Sequence, residues 1–399
     1  MKASFLERSD ENENVFFDLL HTYRTRQIVL YTGAGVSRSS NAAFGVGGWE
    51  DLLRSALHQV DPDRRGEFDS VIERCRDQPW RSASWLEETL GRDDLARAIE
   101  IVVRNGGHFT NAHRQLSARF LSVAPTLTGL AAFCATILAV KDSRDAFRTG
   151  KNDRVAAVLT SNYDCYLEAA SAAMFRNLMT FKPVAAYGSD AGRMTQIPVF
   201  HVHGYVSLPE PGTSATNTDR KPFLAPVLTE ADYEKTWKHN DPFSPTMGPQ
   251  IHYLRFFPCL FVGFSFRDEY VNELLSRIRE EKQHRETKHS YHYAFLTKDD
   301  FTRIGSGQMK KFGVKPIILV DYACIPDALG QIYLDGRFGK DENIIALDTY
   351  NKQSDRLNHT SYMTKIQYWD NLLSCRNCQP HSYRGQELGD LASVADPVS

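Results

Sequence analysis

The chain has 399 residues, 42% hydrophobic and 24% charged, which is ordinary for a soluble globular protein and enough to bury a sizeable core. Its formal net charge of −2 leaves no surplus of cations to neutralise phosphates along a duplex, so non-specific nucleic-acid binding by this chain alone is not expected. The seven cysteines (75, 134, 165, 259, 324, 375 and 378) are odd in number and sit mostly singly in apolar segments; this is the pattern of reduced thiols and implies a cytoplasmic setting.

The polar, acidic N-terminus lacks the apolar core of a signal peptide. Glu13–Thr25 places apolar side chains at helical spacing, and Gln27–Tyr31 is a short apolar strand running into Thr-Gly-Ala-Gly. From Trp49 to Gly150 the periodicity predicts successive helices with no clear strand between them: Trp49–Gln59, Arg65–Arg76, Ser82–Val103, Thr110–Val123 and Leu127–Val140. The stretch Thr126–Val140 is nearly apolar but shorter than the roughly 20 residues of a membrane span, so a buried helix is expected and no membrane segment.

Strands are predicted at Val155–Leu159, Ile197–His203, Phe256–Val262, Tyr291–Leu296 and Pro316–Asp321, with helices at Tyr166–Ala173 and Tyr270–Lys282. Ser207–Asp219 reads as a Pro/Gly/Ser/Thr-rich loop. Alternating strands and helices predict an α/β fold, a doubly wound, mostly parallel Rossmann-like sheet with a helical insertion domain; its ligands bind at the carboxyl ends of the strands. The expected organisation is one discontinuous domain over 13–350 (13–48, 151–206 and 251–350). It is interrupted by a helical insertion at 49–150 and a loop/helix insertion at 207–250, and followed at 351–399 by one helix, Tyr362–Leu373, and a polar tail.

Four polar segments follow apolar strands. Gly33-Ala34-Gly35-Val36-Ser37 suits close approach of backbone to a diphosphate, although Arg38 stands where a dehydrogenase fingerprint has its third glycine, and a tight structural turn is the alternative. Asn162 and Asp164 pair an amide with a carboxylate for ribose or water; the alternative is that they cap the next helix. His201 and His203 share a strand face, and His203, beside Gly204, suits a base near neutral pH, His201 a satisfied core position. No Cys/His/Asp cluster at ligand spacing follows them, so no metal is expected. Gly263-Phe264-Ser265-Phe266-Arg267-Asp268 supplies a hydroxyl and a carboxylate, with a helix cap by Asp268 as the alternative. It is no nucleophile elbow, because Arg267 stands where that motif requires glycine.

In this order the four segments resemble the NAD-binding core of sirtuins, and most closely the bacterial sirtuin-like NADases of antiphage defence. The resemblance implies a sirtuin-like fold with NAD as substrate. Gly33, Ala34, Gly35 and Ser37 would line the diphosphate and ribose, Asn162 and Asp164 the nicotinamide ribose and carboxamide, and His203 would be the catalytic base. Gly263, Ser265 and Asp268 would complete the cofactor site on the adenosine side. Deacylating sirtuins carry two CxxC pairs after His-Gly, whereas Tyr205–Pro258 contains no cysteine. The sirtuin Gly-Ile-Pro-Asp-Phe-Arg loop is replaced by Ala43–Trp49, and the one CxxC, Cys375 and Cys378, lies in the tail. These departures favour NAD glycohydrolysis over protein deacylation, with a non-catalytic NAD or ADP-ribose sensor as a third reading. The resemblance further implies an abortive-infection effector that assembles as a homo-oligomer and has a HerA-type ATPase as partner. The strand end at Asp321 and Tyr322 could contact adenine, but the sequence assigns neither residue a role.

Overall fold

A computed structural model of the chain describes residues 4–39, 48–75, 78–106, 125–139, 147–175, 179–181, 197–206, 229, 231–232, 234, 247–284 and 292–333. The predicted helices Thr110–Val123 and Tyr362–Leu373, the loop Ser207–Asp219 and the pair Cys375 and Cys378 lie outside the described residues, as does all of the Ala43–Trp49 segment before Gly48.

Helix α1 (Asp10–Thr25) begins where the Ser9 side chain accepts the Asn12 N–H, with Asp10, Glu11 and Glu13 in its first turn, complementing the helix dipole. Strand β1 (Ile28–Thr32) follows and is buried throughout. It ends at Gly33, and a short helix α2 (Ala34–Ser39) turns away. Four amphipathic helices come next: α3 (Trp49–Val60), α4 (Arg65–Arg74), α5 (Pro79–Leu90) and α6 (Arg92–Gly106). The single helix predicted over Ser82–Val103 is two, because Gly91 adopts φ +84, a conformation that L side chains rarely adopt, and its N–H closes α5 on Glu87.

A second correction concerns Leu127–Val140. Helix α7 (Pro125–Cys134) stops early, and β2 (Ala135–Ala139) pairs antiparallel with β3 (Phe147–Lys151), so a strand does interrupt the helical stretch. Thr136 and Ile137, both β-branched, sit where apolar periodicity alone cannot separate helix from strand.

Then come β4 (Val155–Thr160), α8 (Tyr166–Phe175), β5 (Met179–Phe181), β6 (Ile197–His201), α9 (Met247–Phe256), β7 (Cys259–Val262), α10 (Glu269–His284), β8 (His292–Thr297), α11 (Lys298–Ile304), α12 (Ser306–Phe312) and β9 (Val314–Leu319). The predicted strand from Phe256 begins three residues later, since Phe256 is the last residue of α9 and the Phe257 N–H still closes that helix on Tyr253.

Seven strands form one sheet in the order β5-β6-β4-β1-β7-β8-β9, and every ladder in it is parallel. In the seven-stranded sheet the chain starts at the centre with β1, adds β4 beside it, passes to the edge strand β5 and fills the gap with β6, then returns to the other side of β1 and builds outward through β7, β8 and β9. The fold is therefore the expected doubly wound α/β sheet, with its switch point at β1.

Alternation along each strand separates two cores. Ile28, Leu30, Val158, Leu260 and Val262 face one side with α1 and α7. Val29, Tyr31, Leu159, Cys259 and Phe261 face the other with α9 and α10. A third cluster lies among α3–α6 and includes Tyr163 and Val206, so the helices pack directly on the strand-end loops of β4 and β6. At the N-terminal side Asn12 donates to the Glu7 and Ile318 carbonyls and accepts the Ile318 N–H, which fastens α1 to β9. No described helix is long and apolar enough to cross a membrane.

Candidate functional site

Register fixes where the site forms. Thr32 pairs with Thr160 on one side and Val262 on the other, and Thr160 pairs with His201. Four adjacent strands, β6-β4-β1-β7, thus end at one level, and the segments beyond them converge on a cleft of about 600 Å³. Gly33, Ala34 and Gly35 line it from β1, His203 from β6, and Gly263, Ser265 and Asp268 from β7.

The glycines are needed for packing of loop against loop. A Cβ on Gly33 would stand 2.6 Å from the Gly263 carbonyl oxygen, and one on Gly263, at φ +63, would stand 2.5 Å from the Val36 nitrogen. The N–H groups of Gly33, Gly35 and Val36 donate to the carbonyls of Val262, Gly263 and Gly33. Those three donors are therefore engaged within the two loops and not directed at a phosphate. The β7 loop is held at a second left-handed residue, Phe266 (φ 54), whose carbonyl accepts from Asn272 Nδ2 at 2.8 Å.

Ser37, Asn162 and Asp164 do come together, below the cleft wall. Asn162 Nδ2 donates to Ser37 Oγ at 2.9 Å, and Ser37 Oγ donates to Asp164 Oδ2 at 2.7 Å. Asp164 Oδ1 accepts the Tyr166 N–H at 3.1 Å, so the carboxylate also caps α8, as the alternative sequence reading anticipated. Burial raises the Asp164 carboxyl above the ordinary value, and the hydrogen bonds from Ser37 and Tyr166 counter it. Asn162 Oδ1 is buried and has no hydrogen-bond partner, while its neighbours Ser161 and Tyr163 both line the cleft.

The two histidines of β6 and its extension differ. His201 is fully enclosed; its Nδ1 lies 3.0 Å from the Asn162 carbonyl oxygen and its Nε2 2.6 Å from Glu168 Oε1. Burial works against its charged form, but the Glu168 carboxylate and then Cys165 outweigh that and raise its pKa well above the ordinary value. His203 lies in the cleft with Nε2 3.3 Å from Asp268 Oδ2. Burial lowers its pKa, against the opposing pull of Asp268 and of a hydrogen bond to the Ser161 backbone.

Cys165, Glu168 and His201 bring a thiol, a carboxyl and an imidazole within 4.8 Å of one another. Two ligands of one tetrahedral zinc, each about 2.1 Å from it, sit roughly 3.4 Å apart. The 2.6 Å between His201 and Glu168 is instead a direct hydrogen bond. The five cysteines among the described residues are free thiols.

Several cleft residues were not singled out from sequence. Trp49, Glu50 and Trp80 enter from α3 and α5, and Trp49 stacks obliquely on Tyr163 at 5.7 Å between centroids. Arg267 and Arg303 bring cations, and Arg303 ties α11 to the β7 loop by donating to the Ser265 carbonyl at 3.1 Å. Tyr322 lines the cleft and hydrogen-bonds Asp300, whereas Asp321 caps a 3-10 turn by accepting the Ala323 N–H at 2.7 Å. Trp49 had a signal, an aromatic residue straight after a glycine run; the arginines had none beyond their charge.

No curated protein matches the chain. Residues 156–317 match the family model of the SIR2-like domain, from within β4 to within β9. The match takes in Asn162, Asp164, His203 and the Gly263–Asp268 segment and leaves the Gly33–Ser37 loop outside it. Residues 156–317 are thus similar to a SIR2-like domain, which supports a sirtuin-like fold and suggests NAD-related activity.

Proposed function

We propose that the chain hydrolyses the nicotinamide–ribose bond of NAD, yielding nicotinamide and ADP-ribose. The observation that carries this reading is Asn162: its amide nitrogen is fixed on Ser37, and its buried oxygen is left without a partner between two cleft-lining residues. An unpaired buried carbonyl costs about 1–3 kcal/mol, a penalty that a bound water or ribose hydroxyl would remove.

In this reading Asn162 orients the attacking water and His203 accepts its proton. Asp164 holds Ser37 and the start of α8, and so keeps the amide in place. The bond to nicotinamide breaks with positive charge growing on the ribose, and a cleft that excludes water strengthens the stabilising dipoles around it. Gly33, Ala34, Gly35, Gly263 and Ser265 shape the wall against ribose and diphosphate. Arg267 and Arg303 supply the cations that the loop's engaged N–H groups do not.

Incubating the full chain with NAD and following nicotinamide and ADP-ribose tests this. Release without any acyl-peptide, lowered about a hundredfold in Asn162→Ala, is the expected result. Release only with acyl-peptide would indicate a deacylase, and ADP-ribose binding without any product a sensor; either overturns the reading. The resemblance extends the proposal to an antiphage effector that self-assembles and works with a HerA-type ATPase, tested by sedimentation of the chain alone and with that partner.

A further inference from the structure

Sequence resemblance assigns Asp268 to the adenosine side of the ligand; in the structure Asp268 lines the cleft and each of its oxygens has a protein partner. Oδ1 accepts the N–H groups of Tyr270 and Val271 at 3.0 and 3.1 Å and closes the N-terminus of α10. Oδ2 stands 3.3 Å from His203 Nε2, and the two side chains are 14% and 9% exposed. They lie in the segments that follow β7 and β6, strands separated in the sheet by β1 and β4. Three strand spacings amount to about 14 Å, so the contact reaches across the ends of the two central strands. That is the level at which Ser161 and Gly33 line the cleft.

We propose that Asp268 is the positioning residue of His203: one carboxylate oxygen is anchored by the α10 backbone, and the other holds the imidazole over the strand ends as its counter-charge. The proposal rests on the NAD-cleaving reading above. In the step it serves, a water O–H bond breaks and the oxygen bonds to the ribose C1′. The electron pair of the C–N bond returns to the pyridine nitrogen, and neutral nicotinamide leaves. The proton goes to His203, whose imidazolium is then balanced by Asp268 until solvent removes the proton. The anchoring of Oδ1 matters because a carboxylate free to rotate would not fix the ring, and the two backbone N–H groups remove that freedom.

Asp268→Asn is the decisive variant, since asparagine caps a helix as well as aspartate but carries no charge. The expected result is nicotinamide release at least about tenfold slower in kcat, with KM for NAD and calorimetric affinity for ADP-ribose within about threefold. Unchanged kcat, or lost ADP-ribose affinity with kcat retained, overturns the proposal. Asp268→Ser, also a capping residue, repeats the test should the asparagine variant misfold. Ring resonances of His203 in the full chain give a readout independent of turnover: the imidazole should titrate at lower pH in Asp268→Asn, and an unmoved titration overturns the pairing. A wild-type chain that releases no nicotinamide, with the His203 titration still moved by the substitution, would sink the NAD reading and leave the pairing standing.

Discussion

Two histidine environments, two residues apart in the chain, divide the molecule into a part that holds and a part that acts. Around His201 every polar atom is committed: one ring nitrogen meets the Asn162 carbonyl, the other the Glu168 carboxylate, and the ring has no exposed surface. Around His203 the partner is longer, at 3.3 Å, and the ring borders the cleft. Both are buried, yet their pKa values move in opposite directions: Glu168 overcomes the burial cost at His201, and Asp268 only offsets it at His203. Burial alone therefore does not set a histidine's state; the distance and enclosure of its carboxylate do.

The largest expected effect falls on the acting side. His203→Ala should lower nicotinamide release by about 10²–10⁴-fold, the range for a general base, while the thermal midpoint stays near the wild-type value. A variant with the wild-type rate would erase the distinction between the two histidines. Next comes Glu168→Ala, which leaves a buried imidazole without its counter-ion. Removing one partner of a buried pair costs about 3–5 kcal/mol, and partial exposure of Glu168, 17% of the side chain, places it at the lower end. Denaturant unfolding should show that loss. An unchanged midpoint would mean the pair is not what holds Asn162 in place.

Much of this was legible in the sequence, because the continuous apolar runs of β1, β4 and β7, buried along nearly their whole length, and the polar residues just past them are local signals. Gly33, Gly35, His203 and Gly263, which line the cleft, were singled out that way, as was Asn162, which lies between the cleft-lining Ser161 and Tyr163 in the chain. What stayed hidden depends on contacts far apart in the chain. Ser37 reads as a ligand residue until Asn162 and Asp164 are seen to use both sides of its hydroxyl. Asp268 reads as a helix cap or a ribose partner, and it is a cap whose second oxygen faces His203, just past the end of β6. The hairpin of β2 and β3 was lost for a different reason: an apolar run has no periodicity with which to mark where helix gives way to strand.

A third enclosed histidine gives the comparison a pH test. His292 accepts the Cys259 N–H at its Nδ1, 3.2 Å away. Burial, and then the Lys282 and Arg279 charges, push its pKa down to about 3. In the unfolded chain it would titrate near 6.5, so between about 6.5 and 3 the unfolded state holds a proton that the folded state refuses. Stability from this group therefore falls as pH falls through that window, by about 1.4 kcal/mol per pH unit once well below 6.5. His201 runs the other way: its raised pKa means that the stability of the Glu168 pair is fully present below about 6.5 and is lost only as pH rises through the higher folded value. Denaturant unfolding from pH 7 to pH 5 should show a shallower acid loss in His292→Gln, whose side-chain oxygen can still accept the Cys259 N–H, than in wild type. Equal slopes would mean that the acid loss belongs to other groups, and that enclosure does not keep His292 neutral.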